Sequence, residues 1–247
     1  MPDLKQMLTL NEAARYLGVS KTSLRRWTND GRLSCHRIGI RGERRFERAM
    51  LEAFLVGRSA SPPEAELRGH VGFFFRNRAE QWEGFRPYFL DHYRSGMPTI
   101  YWHNATSREQ ILDWVRDEGI DPETAVTSGL LRLVHAREAY LKQGAFSADY
   151  MIAFVRRAMT AMRAENFARM LLTGEMDWYF SGEKGVGEIH AYEHRLNGLM
   201  QEYPGWTIVC QYDVTRFDAQ AALEACCTHP VVHLRGRLWQ GFFRGGG

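Results

Sequence analysis

The sequence predicts an α/β protein in two parts: a small helical head with a hairpin, then a larger domain with a mostly parallel sheet flanked by helices. Three observations carry this. From residue 68 onward, short apolar runs alternate with helical segments, the pattern of parallel strands joined by crossover helices. Before that point Gly57-Arg58-Ser59-Ala60-Ser61-Pro62-Pro63-Glu64 is small, polar and proline-bearing, as linkers are. Charge is also unevenly spread. Residues 1–60 carry twelve Lys and Arg against six Asp and Glu, whereas residues 61–247 carry twenty against twenty-three. The formal net charge of +3 therefore conceals a basic head on a slightly acidic body, the asymmetry expected when one part meets nucleic acid. The expected domains are 1–57 and 68–247, joined by a linker over 58–67.

Composition sets the remaining bounds. With 45% hydrophobic and 25% charged residues the chain reads as globular, which excludes disorder and low complexity as descriptions of the whole. Met1-Pro2-Asp3 begins no signal peptide, and no stretch reaches the ~18 apolar residues of a membrane span. Cys35, Cys210, Cys226 and Cys227 form no C-x-x-C pair. A reduced, cytoplasmic protein is expected.

In the head, Thr9 or Asn11 can cap a helix, and Glu12 stands three residues after Thr9, as in a capping box. Ala13, Ala14 and Leu17 share a face, and Gly18 can supply the positive φ that ends the helix. Ser20 caps a second helix, Lys21 to about Asn29, with Leu24 and Trp27 inward. Two short helices joined through Gly-Val-Ser form a helix-turn-helix. Ser20, Lys21, Thr22, Ser23, Arg25 and Arg26 offer donors of the kinds used on phosphates and base edges. Residues 35–46 then read as a glycine-interrupted hairpin with Arg37, Arg41, Arg44 and Arg45 along it, followed by a helix from Glu47 to Leu55. The Glu-Ala-Ala-x-x-Leu-Gly-Val-Ser-x-x-Ser-Leu-Arg-Arg-Trp-x-x-x-Gly-x-Leu run and Arg44-Arg45-Phe46 resemble the winged helix-turn-helix of the MerR and excisionase type. That resemblance implies double-stranded DNA as partner.

Past the linker, strands are expected at Val71–Phe75, Thr99–His103, Leu130–His135, Ala168–Thr173, Thr207–Tyr212 and from Val231 to Leu234. Helices are expected at Trp82–Tyr93, Ser107–Glu118, Ala148–Asn166, Glu188–Glu202 and Ala219–Cys226. Ligands of such sheets bind beyond the carboxyl ends of strands, which places His103, Asn104, Glu175, Met176, Tyr212 and Asp213 around one rim. The segments His70-Val71-Gly72-Phe73-Phe74-Phe75, Tyr140-x-x-x-Gly144-x-Phe146, Gly174-Glu175-Met176-x-Trp178, Tyr192-Glu193-x-x-x-Asn197, Cys210-Gln211-Tyr212-Asp213 and Thr228-His229-Pro230 resemble the landmarks of the MEDS domain, the sensory domain of DcmR-like regulators. The resemblance implies a diverged RecA/KaiC-like core that senses a small-molecule effector. Phe75, His103, Glu175, Met176, Trp178, Tyr212 and Asp213 are the candidate effector-binding residues.

Other chemistries fare less well. The turn after the first strand, Arg76-Asn77-Arg78-Ala79-Glu80, lacks the glycines and lysine of a phosphate loop, and Gly182-Glu183-Lys184-Gly185-Val186-Gly187 lacks Gly-Lys-Ser/Thr. No catalytic residue is assigned, although weak anion binding through Arg76 and Arg78 stays open. His190 and His194 stand four apart without the glutamate of H-E-x-x-H, and His229 and His233 are expected to face different ways. Cys210 reads as buried, and no metal or cofactor is expected. Glu175 and Asp213 leave three roles open: a ligand site, capping or pairing with Arg169 and Arg216, or acid–base work. The sequence reads as a one-component DNA-binding transcription regulator, a homo-oligomer, responding to a small effector. The alternatives are a nucleotide-binding switch or enzyme tethered to DNA, and an adaptor that docks proteins.

Overall fold

The computed structural model describes residues 7–29, 33, 35–39, 42–55, 68–142 and 144–240. Arg41, the linker over 58–67 and the tail over 241–247 lie outside the described residues. The fold divides into two compact units, with residues 7–55 in one and β4 (Gly69–Phe75) to β9 (Val231–Leu234) in the other.

In the first unit the capping box forms as the sequence predicts. The Glu12 N–H donates to Thr9 Oγ1 at 3.3 Å and the Thr9 N–H to Glu12 Oε2 at 2.7 Å, so the start of α1 (Leu10–Tyr16) has two of its free donors met. Gly18, at φ +66°, turns the chain toward α2 (Lys21–Asn29), which starts on a Ser20 cap. Leu24 is fully buried, and the half-buried Trp27 packs against Phe54 of α3 (Arg48–Leu55) with ring centroids 5.1 Å apart. The hairpin is present as β2 (His36–Ile38) and β3 (Glu43–Glu47). It is joined by a strand the sequence reading lacks, β1 (Met7–Thr9), which pairs antiparallel with β3 to give the order β1-β3-β2.

The second unit holds a seven-stranded sheet in the order β10-β9-β4-β8-β7-β5-β6. Its further strands are β5 (Thr99–His103), β6 (Leu131–His135), β7 (Leu171–Glu175), β8 (Thr207–Asp213) and β10 (Arg237–Gln240). All pairings from β9 to β6 are parallel, as the alternation of elements requires. Helices cover both faces. On one lie α4 (Arg78–Arg94), α5 (Arg108–Asp117) and α6 (Pro122–Thr127), closing a core around Phe73, Phe85, Tyr101 and Val209. On the other lie α7 (Ala136–Tyr140), α8 (Ala148–Ala164), α9 (Ile189–Glu202) and α10 (Ala219–Thr228), around Trp102, Met159, Trp178 and Tyr212. The strand expected at Ala168–Thr173 begins three residues later and runs to Glu175, and the expected helix at Trp82 begins four residues earlier, on an Asn77 cap. Among the described residues no helix is long and apolar enough to cross a membrane.

Candidate functional site

The outward face of α2 carries Lys21, Thr22, Arg25 and Arg26, all exposed. Their spacing of one, three and four residues keeps them on one side of the helix while Leu24 and Trp27 anchor the other. Ser20 and Ser23 are partly spent locally, since the Ser23 N–H donates to Ser20 Oγ at 3.0 Å and the two hydroxyls lie 3.0 Å apart. On the hairpin Arg37 is exposed opposite Arg44, while Arg45 is half-buried and donates to Glu43 at 2.9 Å. The unit thus offers a helix and a strand edge rich in cations, with cap and core holding them in place.

The sheet rim differs from expectation in one respect. Residues 75, 103, 175 and 213 do end adjacent strands, but the candidate effector residues do not share one site. Neighbours in a strand point to opposite faces, so Glu175 and Met176, or Tyr212 and Asp213, are separated by the sheet itself. Phe75 belongs to the core beneath α4 and α5, whereas Met176, Trp178 and Tyr212 belong to the core beneath α8, α9 and α10.

Glu175, 2% exposed, sits at the centre of a closed network. Its Oε1 accepts from Gln81 Nε2 and the Tyr101 hydroxyl, each at 3.0 Å, and its Oε2 accepts from the backbone N–H groups of Asn104 and Thr106, each at 2.9 Å. Gln81 also donates to Gln211 Oε1 at 2.8 Å and accepts from Arg78 Nη1 at 2.5 Å. Every lone pair of the carboxylate is therefore occupied by the chain. Arg78 also donates to Thr106 Oγ1, and Arg76 is paired with Glu80, so both arginines of the first turn have partners within the chain. His103 is held by the Thr106 carbonyl at 3.1 Å, and burial keeps its imidazole below the ordinary range. Asp213 closes its own turn by accepting from Thr215 N at 3.0 Å. Of the roles left open for Glu175 and Asp213, pairing with Arg169 and Arg216 is not seen among the described residues. Arg169 pairs instead with Asp91, and Arg216 with Asp177 at 2.8 Å. Burial raises the Asp177 carboxyl above its ordinary value, and Asn104 Nδ2 donates to it at 2.9 Å.

The opposite face carries a group that the sequence reading did not assemble. His70 on β4, Glu193 on α9, Cys210 on β8 and His229 after α10 are all buried, with one potential ligand atom from each lying within 4.8 Å of the others. Glu193 Oε2 is 3.0 Å from His70 Nε2 and 3.4 Å from His229 Nε2. Cys210 Sγ is 3.5 Å from His70 Nε2 and 3.6 Å from Glu193 Oε2. Gly72 leaves room for the His229 ring, since a Cβ there would lie 2.9 Å from His229 Cγ. Burial pushes the Glu193 carboxyl up, but its two imidazole partners outweigh that and hold it well below the usual carboxylate range. Burial keeps His229 below the usual imidazole range, and burial with the Glu193 charge pushes the Cys210 thiol well up. His229 and His233 do face opposite ways: His233 packs against Phe73 and Tyr88 on the α4 face. His190 is half-buried and pairs with Glu224 at 2.8 Å, and His194 is exposed. The four clustered residues stand at 70, 193, 210 and 229, so no local motif announces them. The signal that could have found them is that all four fall within the quoted MEDS landmarks.

Beside this cluster a cavity of about 20 Å³ is lined by Met176, Tyr179, Ile189, Glu193, Tyr212 and Phe217, and by Ala221, Ala225 and Thr228 under α10. It has room for one water or a group of that size. A wider cleft of about 700 Å³ opens beside β6, lined by Ile100, Trp102, Val134, Phe154, Met170 and Leu172 with Arg132, Arg137 and Lys142 among its polar residues.

Residues 69–230 match the family described as the methanogen/methylotroph, DcmR sensory domain, MEDS. The chain belongs to that family. Ahead of the MEDS domain, residues 7–59 match a family described simply as a helix-turn-helix domain. Over most of its length the chain is similar to the transcriptional repressor DcmR of Methylorubrum extorquens, at 26% identity across 91% of this chain and 90% of that relative. Among solved structures, a KaiC-like protein from Pyrococcus horikoshii aligns over 66% of this chain and 68% of its own, with a TM-score of 0.44 and 14% identity.

Proposed function

We propose that the protein is a one-component transcription regulator in which the helix-turn-helix of residues 7–59 binds double-stranded DNA and the MEDS domain responds to a small effector. The observation that carries the DNA half is the exposed cationic face of α2 beside the arginine-bearing hairpin, on a unit whose apolar residues are already packed. Lys21, Thr22, Arg25 and Arg26 enter the major groove, with Ser20 and Ser23 near the phosphates, and Arg37, Arg41, Arg44 and Arg45 hold the backbone or minor groove. A single module of this size rarely gives tight specific binding, so two or more copies act on repeated half-sites.

For the effector half we place the site on the α10 face. Met176 and Tyr212 border the cavity there, Trp178 packs behind them against Tyr140, and α10 is a light cover with only Ala225 and Thr228 among its residues buried. On this reading Phe75, His103, Glu175 and Asp213 shape the rim and do not touch the effector. Entry of a molecule larger than a water displaces α10, the movement that a DNA-binding partner domain can read.

One titration tests both halves. Promoter DNA is added to the full chain at several salt concentrations, with and without candidate effectors. Wild-type affinity should fall steeply with salt, and Arg25→Ala and Arg26→Ala should each weaken binding by roughly tenfold or more and flatten the salt slope. Indifference to salt, or footprints unchanged in both variants, overturns the DNA assignment. Tyr212→Phe should leave DNA affinity intact and shift the effector response by about tenfold, the worth of a lost hydrogen bond. A normal response in Tyr212→Phe combined with a lost one in Phe154→Ala moves the effector to the cleft beside β6.

A further inference from the structure

We propose that His70, Glu193, Cys210 and His229 form a binding site for a single divalent transition-metal ion of the zinc class inside the MEDS domain, next to the cavity that Glu193 also lines. The hydrogen-bond partners fix a proton on each histidine. Asn197 Nδ2 donates to the Thr228 carbonyl at 2.8 Å, and a carbonyl can only accept, so the amide oxygen of Asn197 must face His70. That oxygen is 2.8 Å from His70 Nδ1, which therefore carries the hydrogen. His229 Nδ1 is 2.6 Å from the Ala225 carbonyl and 3.2 Å from Thr228 Oγ1, whose own hydrogen goes to Ala225 at 3.0 Å. It too must be the protonated nitrogen. With both rings neutral, the form in which imidazole ligates a metal, both Nε2 atoms present lone pairs to the centre of the cluster, where they meet a carboxylate.

In this arrangement acceptors outnumber donors. Two imidazole lone pairs and the Glu193 oxygens share one available hydrogen, that of the Cys210 thiol, and Glu193 Oε1 and His229 Nε2 have no hydrogen-bond partner among the described residues. Such a set is repulsive unless a positive charge sits within it, which either a proton on an imidazole Nε2, as in the pairs that hold the Glu193 carboxyl low, or a metal ion supplies. A second shell that fixes the tautomer of each histidine and turns its free nitrogen inward is the usual accompaniment of metal ligation, here supplied by Asn197, Thr228 and the Ala225 carbonyl.

Geometry and charge agree with this. A tetrahedral ion with bonds of about 2.0–2.3 Å spaces its ligand atoms roughly 3.3–3.6 Å apart. Four of the six separations among these atoms are 3.0, 3.4, 3.5 and 3.6 Å, and all six lie within 4.8 Å. One thiolate, one carboxylate and two neutral imidazoles carry two negative charges, which a divalent ion cancels within a buried site. The mixed sulfur, nitrogen and oxygen set suits zinc and excludes magnesium and calcium, which take oxygen ligands. Binding breaks the Cys210 S–H bond, forms the metal–sulfur bond and releases one proton to solvent.

The test uses the tag-free full chain, stripped of metal and then given Zn²⁺ or Co²⁺. About one equivalent should bind, with a rise in unfolding temperature. The cobalt form should show thiolate-to-metal charge transfer and the visible bands of a tetrahedral ion. Cys210→Ser should lose the charge-transfer band and His229→Ala should hold less than about a tenth of an equivalent, while Cys35→Ser and the Cys226→Ser/Cys227→Ser double variant keep both. X-ray absorption of the wild-type zinc form needs no variant to fold, and should show one sulfur near 2.3 Å with nitrogen and oxygen near 2.0 Å. Failure to bind a stoichiometric ion, a zinc shell without sulfur, or a charge-transfer band that survives in Cys210→Ser overturns the proposal.

Discussion

Glu175 and Glu193 are both buried carboxylates, at 2% and 1% exposure, on opposite faces of one sheet, and their surroundings are inverse. Four donors converge on Glu175 and saturate it, whereas Glu193 faces two imidazole nitrogens and a thiol that, with both rings neutral, have one hydrogen among them. Burial and charge alone would rank the two alike. What separates them is the donor count: a carboxylate surrounded by donors organises its own chain, here the segment after β5, and one surrounded by acceptors is arranged to hold something else.

The largest effect expected from this contrast is at the saturated site. Glu175→Gln places an amide nitrogen against either the Asn104 and Thr106 N–H groups or Gln81 Nε2 and the Tyr101 hydroxyl, of which only the hydroxyl can turn to accept, so it should cost about 4 kcal/mol in urea unfolding. A loss under about 1 kcal/mol would show that the network is not closed in solution. The next effect concerns His233, buried on the same face as Glu175 but with no carboxylate beside it. Its Nδ1 meets the Tyr88 hydroxyl at 3.2 Å, its Nε2 has no hydrogen-bond partner among the described residues, and burial lowers its imidazole from 6.5 to about 4. The unfolded chain then takes up a proton near pH 6.5 that the folded chain refuses until about pH 4. Stability is fully present above pH 6.5 and should fall as pH drops through that window, by about 3 kcal/mol in all. His233→Met should remove that part of the slope, measured as the difference between wild type and variant, and identical slopes would place the charge change elsewhere. The smallest effect is at the other glutamate. In metal-free protein Glu193→Gln supplies a donor to lone pairs that lack one, so its stability should lie within about 1 kcal/mol of wild type. A loss as large as that of Glu175→Gln would erase the distinction between the sites.

Local chemistry was readable in the sequence. Thr9 and Glu12 form their box, β5 runs over the five residues Thr99–His103 that the apolar run marked, and α2 spans Lys21–Asn29 as expected. Alternating strands and helices gave the parallel sheet. Short elements such as β1, α6 and α7 escaped because three to six residues carry too little periodicity to read. The rim was half legible. Strand ends were placed in the right neighbourhood, but grouping Tyr212 with Asp213 and Glu175 with Met176 ignored the alternation that sends neighbours to opposite faces. The cluster was hidden for another reason: its members come from four elements, and the parallel pairing of β4 with β8, together with the packing of α9 and α10, brings residues 70 and 229 together.

The position of β4 has a consequence for how the chain is made. This strand is the first of the large sheet to leave the ribosome, yet its two neighbours, β8 and β9, begin at residues 207 and 231. The apolar run Val71-Gly72-Phe73-Phe74-Phe75 therefore waits, both edges unpaired, until nearly the whole domain has been synthesised. During that interval it is a template for pairing with other nascent chains. Slower elongation, or a truncation before residue 207, should turn a strand buried along six of its seven residues in the finished domain into its most adhesive one.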